Sequence, residues 1–133
     1  MEVSSIHVAD DTFVAAPPAI VAEVFQDQRR WRRWWPDLRL DVRQDRGEQG
    51  IRWLVAGKLD GTMEVWLEPN LDGTTVHYFL HAEPVGGNVD IASLPEANRA
   101  RRVAGRAMAL EVKFLAEQGR RPGEPAVGAA PAR

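Results

Sequence analysis

The sequence contains no cysteine. That absence excludes disulfides and thiolate metal sites and is compatible with a reducing compartment. Long apolar runs are also missing. None approaches the roughly 20 residues a helix needs to cross a bilayer, so a membrane-integral protein is not expected. The N-terminus shows no basic stretch followed by an apolar one, the pattern of a secretory signal. Neither sign of charge dominates. The formal net charge is −2 over 133 residues, which exerts no global pull toward nucleic acid or an acidic membrane surface. The remainder is ordinary, with 44% hydrophobic and 27% charged residues, as in a soluble globular chain. One cytoplasmic domain is expected over residues 1–118. Residues 119–133, rich in Pro, Gly and Ala, read as a disordered tail.

The most informative stretch runs from Gly50 to Pro84. Ile51–Ala56, Thr62–Glu68 and Thr74–Ala82 are rich in the β-branched and aromatic residues that suit a half-buried pleated surface. Between them lie Gly57-Lys58-Leu59-Asp60-Gly61 and Pro69-Asn70-Leu71-Asp72-Gly73. Asp-Gly can enter the positive-φ conformations of hairpin turns, so the stretch predicts a three-stranded antiparallel meander. Side chains alternate along a strand. Met63, Val65 and Leu67 therefore share a face with Val76, Tyr78, Leu80 and Ala82 of the next strand. Thr62, Glu64, Trp66, Glu68, His77, Phe79 and His81 take the opposite face. The apolar face needs a cover.

Ahead of the meander, Ile6–Ala15 reads as a strand, with Asp10-Asp11 expected as a bulge or bend. Pro17 and Pro18 fit a helix's first turn, where a missing N–H costs little, and Ile20, Val21, Val24 and Phe25 follow at helical spacing. Asp27 is placed to cap a second short helix, Gln28 to Trp35. There Trp31, Trp34 and Trp35 share a face, and Arg29, Arg30, Arg32 and Arg33 occupy the rest. Pro36 stops it. Leu38, Leu40 and Val42 alternate with charged residues, as in a half-exposed strand. Beyond the meander, Ser93-Leu94-Pro95-Glu96 has capping-box spacing. It opens a helix of about 25 residues whose apolar stripe is read as Leu94, Ala97, Val103, Ala104, Ala107, Met108, Leu110, Phe114 and Leu115, with Gly119 as its C-terminal cap. Gly105 inside it marks a close approach or a tolerated flaw. The element order implies an α+β fold: a curved antiparallel sheet of about five strands wrapped on one long C-terminal helix, with two short helices after the first strand.

In this order, several motifs resemble the START-like superfamily, also called SRPBCC or Bet v 1-like, and most closely its bacterial polyketide cyclase/dehydrase branch. They are Ala16-Pro17-Pro18, the run from Trp31 to Asp37 (WRRWWPD), Leu67-Glu68-Pro69, Asp72-Gly73-Thr74 and the long final helix. The resemblance spans roughly residues 5 to 117. It implies the helix-grip fold and a hydrophobic small molecule or lipid held between sheet and helix, without implying catalysis. Such proteins usually place about six strands between the second helix and the last; here there are four. A shortened sheet encloses less volume and leaves an edge that a second copy could cover.

On this reading Trp53, Met63, Val65, Tyr78, Leu80, Val103, Ala107 and Met108 face inward and form the candidate ligand site, with Tyr78 as its hydrogen-bond donor. Plain core is the alternative. No catalytic residue, metal site or cofactor is assigned. His77 and His81 would lie about 13 Å apart on a strand at ~3.3 Å per residue, too far to share an ion; His7 has no evident partner. Glu64 and Glu68 are separated likewise, beyond the carboxylate spacing of glycosidases. Glu111 borders the helix stripe and becomes an acid only if it points inward. Gly57–Gly61 joins two strands and lacks the ending of a phosphate loop. The arginine-rich helix, with Arg99, Arg101, Arg102 and Arg106 at the start of the last helix, raises a competing reading: an anion- or nucleic-acid-binding or dimerising module. Its bland counterpart is a tryptophan-anchored helix with solvated arginines, and nucleic acid is the less favoured partner. A cyclase/dehydratase-like enzyme is the remaining alternative.

Overall fold

A computed structural model describes residues 4–86 and 90–118. Its elements are β1 (Ile6–Val14), α1 (Pro18–Gln26), α2 (Gln28–Trp34), β2 (Leu38–Asp45), β3 (Gly50–Gly57), β4 (Leu59–Asn70), β5 (Gly73–Pro84) and α3 (Leu94–Glu117). The strands form one antiparallel sheet in the order β1-β5-β4-β3-β2. The meander is therefore β2 to β5, and β1 closes one side by pairing with β5. The expected α+β helix-grip architecture is present, with four strands between α2 and α3.

The alternation along the meander holds. Met63, Val65, Leu67, Val76, Tyr78, Leu80 and Ala82 are all buried, on the concave face that α1, α2 and α3 cover. Three local expectations are corrected. First, β1 runs straight through Asp10-Asp11, in unbroken register with β5 from Ile6↔Ala82 to Val14↔Thr74. Asp10 shares the inward face with Val8 and Thr12, and Arg106 of α3 answers it: its Nη1 donates to Asp10 Oδ2 at 3.2 Å and Thr12 Oγ1 at 2.7 Å. The aspartate is a partner for the helix rather than a break. Second, β4 already begins at Leu59, which pairs with Pro84, so the first turn narrows around Lys58. In the second turn the positive φ falls on Leu71, at 53°, not on the glycine. Third, the capping box does not form. Ser93 Oγ donates to the Asp90 carbonyl, and the Asp90 carboxylate caps the preceding 3-10 turn through the Ala92 N–H. The expected cap at Gly119 and the tail over 119–133 lie outside the described residues.

β2 alternates only at its start. Leu38 is buried, but Val42 is exposed next to a register shift between Val42 and Gln44. The other short elements form as expected. Asp27 accepts the Arg29 N–H at 3.0 Å and caps α2, whose tryptophans turn inward. Trp31 and Trp35 are buried, and Trp31 Nε1 donates to the Phe25 carbonyl at 2.7 Å.

Helix α3 meets the sheet through Gly105, Met108, Ala109, Val112 and Ala116. These positions follow helical spacing but are mostly small. A Cβ on Gly105 would lie 2.7 Å from Tyr78 Cε2, so the glycine lets the helix backbone settle onto that ring. This decides between the two readings of Gly105 in favour of close approach.

Candidate ligand-binding groove

The interior expected to hold a ligand is filled by aromatic side chains. Trp31 and Trp35 pack edge-on against Trp53, with ring centroids 5.2 and 5.8 Å apart. Trp35 stacks on Tyr78 at 6.0 Å. The Tyr78 hydroxyl donates to Met63 Sδ at 3.2 Å, and burial pushes its pKa up. Of the eight candidate positions, Trp53, Met63, Val65, Tyr78, Leu80 and Met108 come together in this core. Val103 and Ala107 do not. Both point outward from α3, and Val103 is 58% exposed. The apolar residues of α3 form two stripes, and these two positions belong to the outer one.

The interior has one unsettled feature. The indole N–H of Trp53 is buried and has no hydrogen-bond partner among the described residues, whereas that of Trp35 lies against the Tyr78 hydroxyl. An unmet buried donor costs about 1–3 kcal/mol.

A preformed concavity lies elsewhere, along the open edge of β1. Helix α3 runs beside this edge and satisfies its outward-facing backbone groups at both ends. Asn98 takes the His7 N–H on Oδ1 at 2.9 Å and donates to the Ser5 carbonyl at 2.8 Å. Lys113 Nζ donates to the Phe13 carbonyl at 2.9 Å, and Glu117 accepts the Ala15 N–H at 2.9 Å. Between these two ties Arg106 bridges to Asp10 and Thr12. Beside that bridge lies a groove of about 420 Å³ lined by Val8, Ala9, Asp10, Arg99, Arg102, Val103 and Arg106. Ala9 and Val103 supply its exposed apolar surface, with Val8 buried beneath. Three guanidinium groups face one carboxylate, and Asp10 is engaged by Arg106. Arg99 approaches Glu96 only at 3.9 Å, and Arg102 makes no ion pair among the described residues. The groove thus has a surplus of positive charge beside an apolar surface.

Two further depressions are smaller. One of about 390 Å³ lies between α2 and β2 and also sets two guanidinium groups, Arg32 and Arg39, beside apolar side chains, here Trp31, Leu38 and Leu40. One of about 230 Å³ lies on the convex face beside His77 and Phe79.

The remaining candidates have structural partners. Glu111 accepts from Trp34 Nε1 at 2.6 Å and from the Arg33 guanidinium, tying α2 to α3 instead of entering the core. Asp37 holds Arg101 through two bonds of 2.9 and 2.7 Å. That guanidinium lowers the Asp37 pKa. His77 bonds Glu68 at 3.1 Å and stacks on Trp66. His7 does have a partner, since β1 and β5 set it opposite His81 with ring centroids 4.7 Å apart. Partial burial, and then His7, lower the His81 pKa. Among the described residues no cluster of three or more His, Cys, Asp or Glu is placed to hold a metal, and no helix is long and apolar enough to cross a membrane.

No family model and no curated protein matches the sequence. Solved structures do, over most of its length. The StfQ di-domain ARO/CYC from the steffimycin biosynthetic pathway superposes with a TM-score of 0.63 at 15% identity, over 85% of this chain and 51% of that one. The chain has the helix-grip fold. The Polyketide_cyc-like protein Cgl2372 from Corynebacterium glutamicum gives a TM-score of 0.60 at 16% identity, over 85% of this chain and 91% of that one. The Aha1 dimer from Colwellia psychrerythraea gives 0.59 at 15%, over 87% and 99%. At these identities the likeness is one of fold, and function rests on the site itself.

Proposed function

We infer that this helix-grip protein binds a small hydrophobic molecule bearing an anionic end, between the sheet and the C-terminal helix, in the β1–α3 groove. The observation that carries this reading is the pairing of Ala9 and Val103 with Arg99 and Arg102 around one preformed concavity of about 420 Å³. Ligand sites are usually concave, largely preformed and of ~300–1,000 Å³. Guanidinium groups favour carboxylate and phosphate because their fork of donors matches those oxygens. A medium-chain carboxylate such as decanoate is the simplest probe. Calorimetric titration should show decanoate binding and decanol binding much more weakly. Arg102→Ala should weaken decanoate about tenfold, the equivalent of ~1.4 kcal/mol. Equal binding of acid and alcohol, or none of either, would contradict the reading.

A second reading keeps the ligand in the interior, among Trp53, Met63, Val65, Tyr78, Leu80 and Met108. The unpartnered indole of Trp53 supports it, because a ligand carbonyl could accept from it. It requires the tryptophan cluster to part, and native mass spectrometry of freshly purified protein for retained lipid checks it. A cyclase-like activity has less support. Tyr78 is spent on Met63, and Glu111 on Arg33 and Trp34. Tryptophans turned inward also leave α2 no stacking platform for nucleic-acid bases. Homodimerisation through β2, a sheet edge with no strand beyond it among the described residues, is a separate proposal that gel filtration at several concentrations tests; one of the similar structures is a dimer.

A further inference from the structure

The outer face of α3 carries a second apolar row. Val103, Ala107, Leu110 and Phe114 follow the 4-3-4 spacing that keeps side chains on one face. All four are exposed, Phe114 by 70%, Val103 by 58% and Leu110 by 52%. They lie opposite the buried face of Gly105, Met108, Ala109, Val112 and Ala116. A contiguous exposed apolar patch on a chain of this size marks an interaction surface.

Charge around the row identifies the partner's sign. Arg99, Arg102, Arg106 and Lys113 border it on the β1 side. Arg106 is paired with Asp10 and Lys113 with Glu117, Arg99 approaches Glu96 only at 3.9 Å, and Arg102 has no acidic partner among the described residues, so Arg99 and Arg102 supply the available charge. On the other side Arg33 of α2 reaches Glu111 and offsets the acid there. Helix α2 carries four arginines and no acidic residue, and α3 five basic and three acidic residues. The whole chain is nevertheless at −2. The helical layer is therefore positive and the remainder of the molecule strongly acidic. A second copy meeting this face with its own would bring like charges together, which disfavours self-association. The apolar side chains stand on the convex outside of a helix, as knobs and not as a slot. Apolar knobs flanked by basic residues suit entry into the interfacial layer of an anionic bilayer, with the basic heads among the lipid phosphates.

We propose that the α3 outer row, with its arginine borders, docks the protein on an anionic membrane surface. The groove then opens beside the lipid layer, yet docking does not depend on the groove being occupied. The test is sedimentation of the full chain with vesicles of phosphatidylcholine alone or mixed with phosphatidylglycerol. Pelleting is expected with the mixed vesicles and not with phosphatidylcholine alone, and raised salt should weaken it. The double variants Leu110→Asp/Phe114→Asp and Leu110→Ser/Phe114→Ser should each lose at least tenfold in vesicle affinity. Both should keep the wild-type circular dichroism and decanoate titration, which separates failure of docking from failure of the groove. Equal pelleting of the Ser variant and wild type, or no pelleting with mixed vesicles, would overturn the proposal. So would a concentration-dependent dimer abolished by the same variants, which would assign the row to a second copy.

Discussion

Met108 and Phe114 are both large apolar residues of α3, yet one is sealed in the core and the other is 70% exposed. Their two faces differ more in side-chain size than in polarity. The face against the sheet is Gly105, Met108, Ala109, Val112 and Ala116. The open face carries Val103, Leu110 and Phe114. Small residues let the backbone approach Tyr78, and Met108 is the largest side chain this face buries. Helical periodicity locates apolar stripes, but on this helix the bulkier one is not the one that packs.

The contrast can be broken most sharply at Met108. Met108→Ala should lower unfolding stability by about 2–5 kcal/mol, the cost of a buried large-to-small change, read as a shift in urea midpoint. A loss below about 1 kcal/mol would mean α3 is only loosely seated. Gly105→Ala sharpens the same contact. Alanine gains about 1 kcal/mol in helix propensity. However, the new Cβ meets a Tyr78 ring held by its stacking on Trp35, and overpacking costs about 1–3 kcal/mol. A net loss of around 1 kcal/mol is expected, and a net gain would place the helix further from the sheet.

Asp37 tests the fastening of α3 through Arg101. The guanidinium holds the Asp37 pKa below its ordinary 3.8. The pair's contribution is therefore fully present above that value and is lost as pH falls through the lower, folded-state pKa. Asp37→Asn should lower stability at neutral pH and flatten the acid limb of the stability curve below about pH 4. An unchanged limb would show the pair to be idle. Phe114→Ser should have the smallest effect, within about 0.5 kcal/mol, as at other exposed sites.

Much of this fold was legible in the sequence because its meander obeys simple alternation. Met63 to Leu67 and Val76 to Ala82 point where a period of two sends them, and the WRRWWPD run anchors α2 as its spacing implies. The site was less legible. Val103 and Ala107 belong to a second apolar stripe, and sequence alone cannot say which stripe a sheet will select. The β1–α3 groove combines residues from the first and last elements of the fold, and Asp10 reads as an interruption in the sequence because its partner Arg106 lies so far along the chain. The His7–His81 pair required the β1–β5 register, although both residues sat on strands already assigned. That Trp31 and Trp35 meet Trp53 and fill the interior, instead of bordering a cavity, depends on the packing of α2 against β3, which the spacing of the tryptophans leaves open.

The most direct measurement is an amide and indole NMR map of the full chain titrated with decanoate. The groove reading predicts perturbations at Val8 to Asp10 and from Arg99 to Arg106, with the Trp35 and Trp53 indole signals unmoved. Shifts confined to those two indoles, with β1 and the start of α3 silent, would contradict it and move the site into the core.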